Sequence, residues 1–358
     1  MINKINSKNY FDVLQVFRGI AAVMVVLCHL VLAFKHFHNW DNSILIFIGN
    51  FGALGVDFFF VLSGFIISYS TFQKKYHFKD YLINRFLRIY IPYLPIGIAM
   101  FLLYFLFPNI SESGRDVNLI RSITLFPIGN PALSVSWTLS YEMMFYLLFG
   151  LCFISRKIWN IFIILWTSAI IIFNYFSGLN TKNLIFLNPY CLEFILGYLI
   201  CLTYFYRENI KNILSYPILS YPILWLCAIL FFCLTVIIKF YNLNLFYFSS
   251  NLMFAISASF LILAAINRAS QRHKVSKNKI LLLLGNASFS IYLVHDPIIS
   301  LSIRLLHSNN FYLAVLLFIV FLIICCLGGV FYYFIFEKFI LGRARKIIAQ
   351  KNCTIVEK

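Results

Sequence analysis

Charged side chains are scarce in this sequence of 358 residues. Asp, Glu, Lys and Arg together make up 11% of it, with 12 acidic residues against 29 basic ones. A soluble domain carries about a quarter charged residues. With 62% of residues apolar and 19% aromatic, a water-exposed fold would have more greasy surface than it could hide. A soluble enzyme and a disordered chain are thereby excluded. So is a nucleic-acid-binding domain, because the formal charge of +17 falls in short clusters between apolar runs rather than on one face. Cysteine pairing is lacking too. Eight of the nine cysteines lie in apolar runs, there is no CxxC, and no paired histidines occur. Neither a disulfide framework nor a metal site is indicated.

What the sequence does have is long apolar stretches. A helix needs about 20 mostly apolar residues to cross roughly 30 Å of hydrocarbon. Ten runs qualify, near 13–34, 46–71, 89–107, 137–154, 158–176, 189–206, 217–239, 249–267, 280–303 and 311–336. The sixth is interrupted by Glu193 and the seventh is entered through Tyr216-Pro217 and Tyr221-Pro222. The runs are continuous and do not alternate with polar residues, so helices rather than barrel strands are expected. The fold class is all-α, a polytopic transmembrane bundle of about ten spans. The whole chain, 1–358, reads as one membrane domain with a short tail from 337 to 358. The N-terminal run is too long for a signal peptide and has no small-x-small cleavage site, so it reads as an uncleaved anchor.

Lys and Arg set the expected orientation. With both termini inside, 23 of the 29 basic residues fall in inside segments and 6, including Lys35, Arg115, Arg121 and Lys239, fall outside. An odd number of spans would break this pattern at one end.

Ionisable residues at membrane depth are costly and mark candidate functional positions. Here they are Arg18, His29, Asp57, Arg85, Arg88, Glu142, Glu193, His295, Asp296 and Glu337. Arg18 and His29 are eleven residues apart, almost three helical turns, so they share a face about 16 Å apart along the axis. Asp57 falls near mid-bilayer, where it needs a partner. That partner is a basic side chain that fixes packing, or His29. Arg85 and Arg88 share a helical face at the inner end of the third run. They fit either ordinary positive-inside anchors or a fork for phosphate groups. His29, Glu142 and His295 all fall in the outer half of the bilayer, which points to a shared polar cavity. Glu193 and Glu337 fall near helix ends, where interfacial solvation covers them.

Five patterns occur in order: Arg18 and His29; Gly55-Val-Asp57-x-Phe-Phe-x-x-Ser63-Gly64-Phe; Arg85-x-x-Arg88-Ile-x-x-Pro92; Ser136-Trp137-x-Leu-x-x-Glu142; and Ser290-Ile-Tyr292-Leu-x-His295. Together they resemble acyltransferase family 3, integral-membrane enzymes whose bacterial members O-acylate cell-surface carbohydrates. The resemblance runs from residue 12 to about 337. It implies acyl-CoA, usually acetyl-CoA, as donor on the cytoplasmic side of the bacterial inner membrane. The acceptor it implies is a sugar hydroxyl of a surface glycan such as lipopolysaccharide, or of a lipid-linked sugar.

On this reading Arg18, Arg85 and Arg88, with Lys74 and Lys75 upstream, serve the CoA phosphates. Ser136, Trp137, Tyr292 and His295 line the acceptor site. His29 acts as general base, and Glu142 or Asp57 holds its imidazole. A transient acyl-imidazole on His29 is the variant of that scheme. The rival class is a secondary transporter or flippase for a sugar-linked or anionic solute, since buried acids and histidines also build proton relays. Against it, no paired broken helices appear in corresponding halves.

Overall fold

The computed structural model describes residues 7–38, 43–73, 77–107, 117–127, 129–176, 184–213, 221–243, 248–271, 278–306 and 310–356. Lys74, Lys75, Arg115, Tyr216 and Pro217 lie outside them. The described residues are almost wholly helical and form no strand, with one isolated bridge between Val117 and Asn130. That is the outcome hydrocarbon imposes, because each backbone N–H and C=O must find its partner within the segment.

The helices in chain order are α1 (Ser7–His38), α2 (Ser43–Gly52), α3 (Leu54–Gln73), α4 (Phe78–Leu106), α5 (Leu119–Thr124), α6 (Trp137–Leu148), α7 (Leu151–Ile154) and α8 (Arg156–Ile171). They continue as α9 (Tyr190–Ile213), α10 (Tyr221–Phe240), α11 (Ser249–Gln271), α12 (Lys279–Asn286), α13 (Ser288–Leu305), α14 (Phe311–Tyr332) and α15 (Leu341–Val356).

Among the described residues, eight helices are long and apolar enough to cross a membrane. A ninth span is counted if α12 and α13, bent by 72° at a one-residue break, are taken together. The expected sixth run, near 189–206, is the apolar stretch Tyr190–Tyr206 of α9. After residue 336, π-helical turns over Tyr333–Ile340 carry α14 into α15, so the tail is helical through its described residues. Large apolar side chains such as Leu165 on α8, Leu226 on α10 and Leu327 on α14 are exposed, as suits faces that meet lipid. The chain is a multi-pass membrane protein.

The chain packs as two compact units. The first comprises Met1–Phe17, Leu54–Phe78 and Met144–Leu282. Its centre is the crossing of α3 and α9, where glycines let the two backbones touch. A Cβ on Gly64 would sit 2.1 Å from the Phe194 carbonyl oxygen, and one on Gly197 would sit 2.1 Å from that of Val61. Aromatic contacts continue in step on either side, Phe60 with Phe194 and Tyr69 with Phe205, so the two helices run parallel. Ser257 of α11 donates to the Ala228 carbonyl of α10, and Tyr198 of α9 donates to Asn160 of α8.

Backbone cannot rotate away as a side chain can. Gly197→Val is therefore expected to part α3 and α9 and to lower stability by more than the 1–3 kcal/mol or so usual for overpacking. Thermal unfolding of the purified protein is the check.

The second unit comprises Arg18–Ala53, Lys79–Met143 and Leu283–Lys358. Phe34 of α1 packs its ring on Phe318 and Phe321 of α14, and Tyr332 of α14 donates to the Pro92 carbonyl of α4.

Candidate active site

The second unit contains a polar constellation built where α1 lies along α13. Just before that helix begins, α1 touches the end of α12, since a Cβ on Gly19 would meet the Gly285 nitrogen at 2.9 Å. Ten residues beyond Gly19 is His29, and ten beyond Gly285 is His295. Their rings meet edge to face, with centroids 4.9 Å apart and planes at 74°.

Asp296 supplies the acid at this point. Its Oδ1 lies 3.8 Å from His29 Nδ1, and its Oδ2 accepts a hydrogen bond from Ser134 Oγ at 2.5 Å. Ser134 opens a single 3₁₀ turn, Ser134–Ser136, immediately before α6. That turn is fastened to α13 by Tyr292, whose hydroxyl donates to the Val135 carbonyl at 2.7 Å. The Thr138 hydroxyl lies 2.7 Å from the Tyr292 hydroxyl oxygen and 3.2 Å from the same carbonyl. Behind the turn, the Ala132 N–H donates to Ser122 Oγ, and Tyr93 donates to the Ser122 carbonyl. The residues that touch His29 are thus held from α13 and from a braced turn.

The tautomer of His295 follows from its partners. Its Nδ1 lies 2.7 Å from the Tyr292 carbonyl oxygen and 3.2 Å from that of Ile291. A carbonyl only accepts, so Nδ1 carries the hydrogen and Nε2 of the neutral ring is an acceptor. That nitrogen is buried, and no donor among the described residues reaches it.

The side chains of His29 and Asp296 are 34% and 24% exposed, whereas His295 is fully buried. The reachable pair is a histidine and a carboxylate. With Asp296 facing Nδ1, the Nε2 of His29 is the nitrogen placed to accept a proton.

A second polar cluster lies toward the start of α13. Glu337, on the π-helical turns after α14, takes hydrogen bonds on one oxygen from the Ser290 N–H at 3.1 Å and the Ser290 hydroxyl at 2.5 Å. It therefore satisfies one of the free N–H groups that a broken span leaves at membrane depth. Arg18 and Arg88 both act electrostatically on this carboxylate. Arg85 is buried, its guanidinium 5.6 Å from the Tyr81 ring centroid. Glu337 is thus engaged with α13 instead of being left to interfacial solvation.

The structure brings together His29, His295, Tyr292 and, within electrostatic reach of Tyr292, Glu142. It places others elsewhere. Ser136 is buried and donates to the Leu133 carbonyl, inside its own turn; the serine that reaches the acid is Ser134. Trp137 begins α6 with its ring edge-on to Tyr141. Asp57 belongs to the first unit, where Asn251 is its hydrogen-bond donor. The acid beside His29 is Asp296, to which the sequence reading gave no role. Its signal was present all the same, because Tyr292, His295 and Asp296 stand at i, i+3 and i+4 on one helical face. Among the described residues no group of three or more His, Cys, Asp or Glu is placed to hold a metal ion.

No solved structure matches the chain. A curated protein that does match is the exopolysaccharide production protein ExoZ of Rhizobium meliloti (strain 1021), 30% identical over 161 residues. That match covers 42% of this chain and 50% of ExoZ, so the chain spans about half the length of its curated relative. The model of an acyltransferase domain matches residues 11–333, a stretch that includes His29, the arginines, the 3₁₀ turn and α13. This chain belongs to acyltransferase family 3.

Proposed function

We propose that this membrane acyltransferase moves an acyl group, acetyl in the simplest case, from acyl-CoA to a hydroxyl of a surface polysaccharide. The observation that carries the reading is the partly exposed His29 beside Asp296, with Ser134 and His295 closing on the pair. His29 Nε2 takes the proton of the acceptor hydroxyl as its oxygen attacks the thioester carbonyl. The C–S bond then breaks, and the CoA sulfur leaves with the proton from the imidazolium. Asp296 holds the ring by Nδ1 and stabilises the cation. The present 3.8 Å shortens when substrate is bound, as catalytic contacts commonly do. His295 Nε2 accepts a hydrogen bond from the acceptor sugar, and Tyr292, Trp137 and Glu142 shape that side.

The phosphates of CoA dock at Arg18 and Arg88, with Arg85 behind them. Arg18 lies about 16 Å down α1 from His29, so the donor's extended arm bridges the two clusters. The inside excess of Lys and Arg supports an orientation with both termini in the cytoplasm, the side where acyl-CoA is made and where this cluster would then lie. The acceptor as a polysaccharide is supported by the name of ExoZ, an exopolysaccharide production protein, and the setting is a bacterial inner membrane.

The test is release of CoA thiol from acetyl-CoA by purified protein in lipid nanodiscs, with and without an exopolysaccharide acceptor. Acceptor-dependent release and an acetylated glycan are expected; neither occurring would overturn the reading. In the same assay Arg88→Ala raises KM for acetyl-CoA at least about tenfold, the scale of one lost charge-assisted contact, with kcat held. An unchanged KM would make Arg88 a membrane anchor.

A further inference from the structure

The first unit holds a second pair of acids that the transfer reaction does not use. Asp57 on α3 and Glu193 on α9 are almost fully buried, at 1% and 0% exposure. Asn251 of α11 donates its Nδ2–H to Asp57 Oδ1 at 2.8 Å, and its own Oδ1 accepts from Ser250 at 3.2 Å. The Glu193 carboxyl stands within side-chain hydrogen-bonding range of Asp57. Yet no donor among the described residues reaches either Glu193 oxygen. Near the pair, Lys239 of α10 acts electrostatically on Asp57, and Cys191 adjoins Glu193 on α9. Asn251 is the group that α11 contributes.

These facts leave one consistent arrangement. Ionised carboxylates only accept hydrogen bonds, and two of them in contact in a low-dielectric interior repel strongly. The interlock of Gly64 and Gly197 fixes α3 against α9, so the acids cannot draw apart. Only a hydrogen between them turns the contact into a bond.

We propose that Asp57 and Glu193 form a proton-binding site in which Glu193 donates its O–H to the Asp57 carboxylate. Asn251 and the field of Lys239 favour the charge on Asp57, so Glu193 carries the proton. The proton acts as a ligand of the folded unit, joining α3 to α9 at membrane depth. This site stands independently of the acyl-transfer reading.

Infrared spectroscopy of the full chain in nanodiscs at pH 7 tests it. The parent should show a protonated-carboxyl C=O band that shifts down in D₂O. Glu193→Gln should lose the band, its amide N–H taking over the donation to Asp57. Asp57→Asn should lose it as well, since the new amide donates to Glu193 and makes the proton unnecessary. The thermal midpoint of the parent should fall as pH rises through the range where the proton leaves, because only the folded state retains it. Both variants should be flat over that range. No such band in the parent overturns the proposal, and so does a band that survives Glu193→Gln. Survival in Asp57→Asn would show a proton held by Glu193 alone and overturn the sharing. Loss of the parent band on replacing choline by sodium would make a metal cation the occupant. If neither variant folds, the parent band and its pH dependence decide.

Discussion

His29→Gln lowers kcat by about 10² to 10⁴, the usual loss on removing a positioned general base, while KM for acetyl-CoA stays near that of the parent. Glutamine keeps much of the volume and a hydrogen-bonding group, so the contact with His295 and the packing of α1 are preserved. What it cannot do is take a proton at neutral pH. Arg18 lies three turns away along α1, which on the proposed reading separates chemistry from donor binding. The variant must be shown to unfold at the parent's temperature. If it does, and acetylation proceeds at the parent's rate, His29 is a packing residue and the proposed mechanism fails. Incubation of the parent with radiolabelled acetyl-CoA and no acceptor adds a second readout, because a trapped acyl-histidine would replace direct transfer by a two-step reaction.

Asp296→Asn is the next most damaging substitution, with an expected loss in kcat of about 10²-fold, within the span that general-base support contributes. The amide is nearly isosteric and can still accept from Ser134, so the turn before α6 remains fastened. The negative charge beside His29 is lost, and with it the stabilisation of the imidazolium that forms in transfer. A flipped amide would also present N–H to N–H and turn the ring. KM for acetyl-CoA is unchanged, because Asp296 lies at the other end of the donor path. Asp57→Asn gives the contrast, since Asp57 takes its hydrogen bond from Asn251. If Asp296→Asn keeps the parent's kcat, the acid that serves His29 is another one, and Glu142 becomes the candidate.

Much of the site was readable before the fold. The scarcity of charge made each buried ion conspicuous, so His29 and His295 could be named from depth and helical spacing, and Tyr292 from the family resemblance. Which acid serves His29 could not. Asp57, Glu142 and Asp296 all fall in apolar runs, and one-dimensional spacing says nothing about which helices adjoin. The family motif points to Ser136, and nothing in the sequence points to Ser134, because a 3₁₀ turn this short has no periodic signature. Glu193 was read as interfacial from its place near a helix start. The glycine crossing that buries it depends on two residues 133 positions apart.

By itself the sequence determined that this protein lives in a membrane and is built of helices, because hydrocarbon leaves a chain with so many long apolar runs no other way to satisfy its backbone. It also determined the family, through five patterns in order along most of its length. Only the tertiary structure decided which acids stand together, Asp296 with His29 and Asp57 with Glu193. The physical reason is that a charge in low dielectric takes its character from neighbours a few ångströms away, and those neighbours come from helices that only packing brings together.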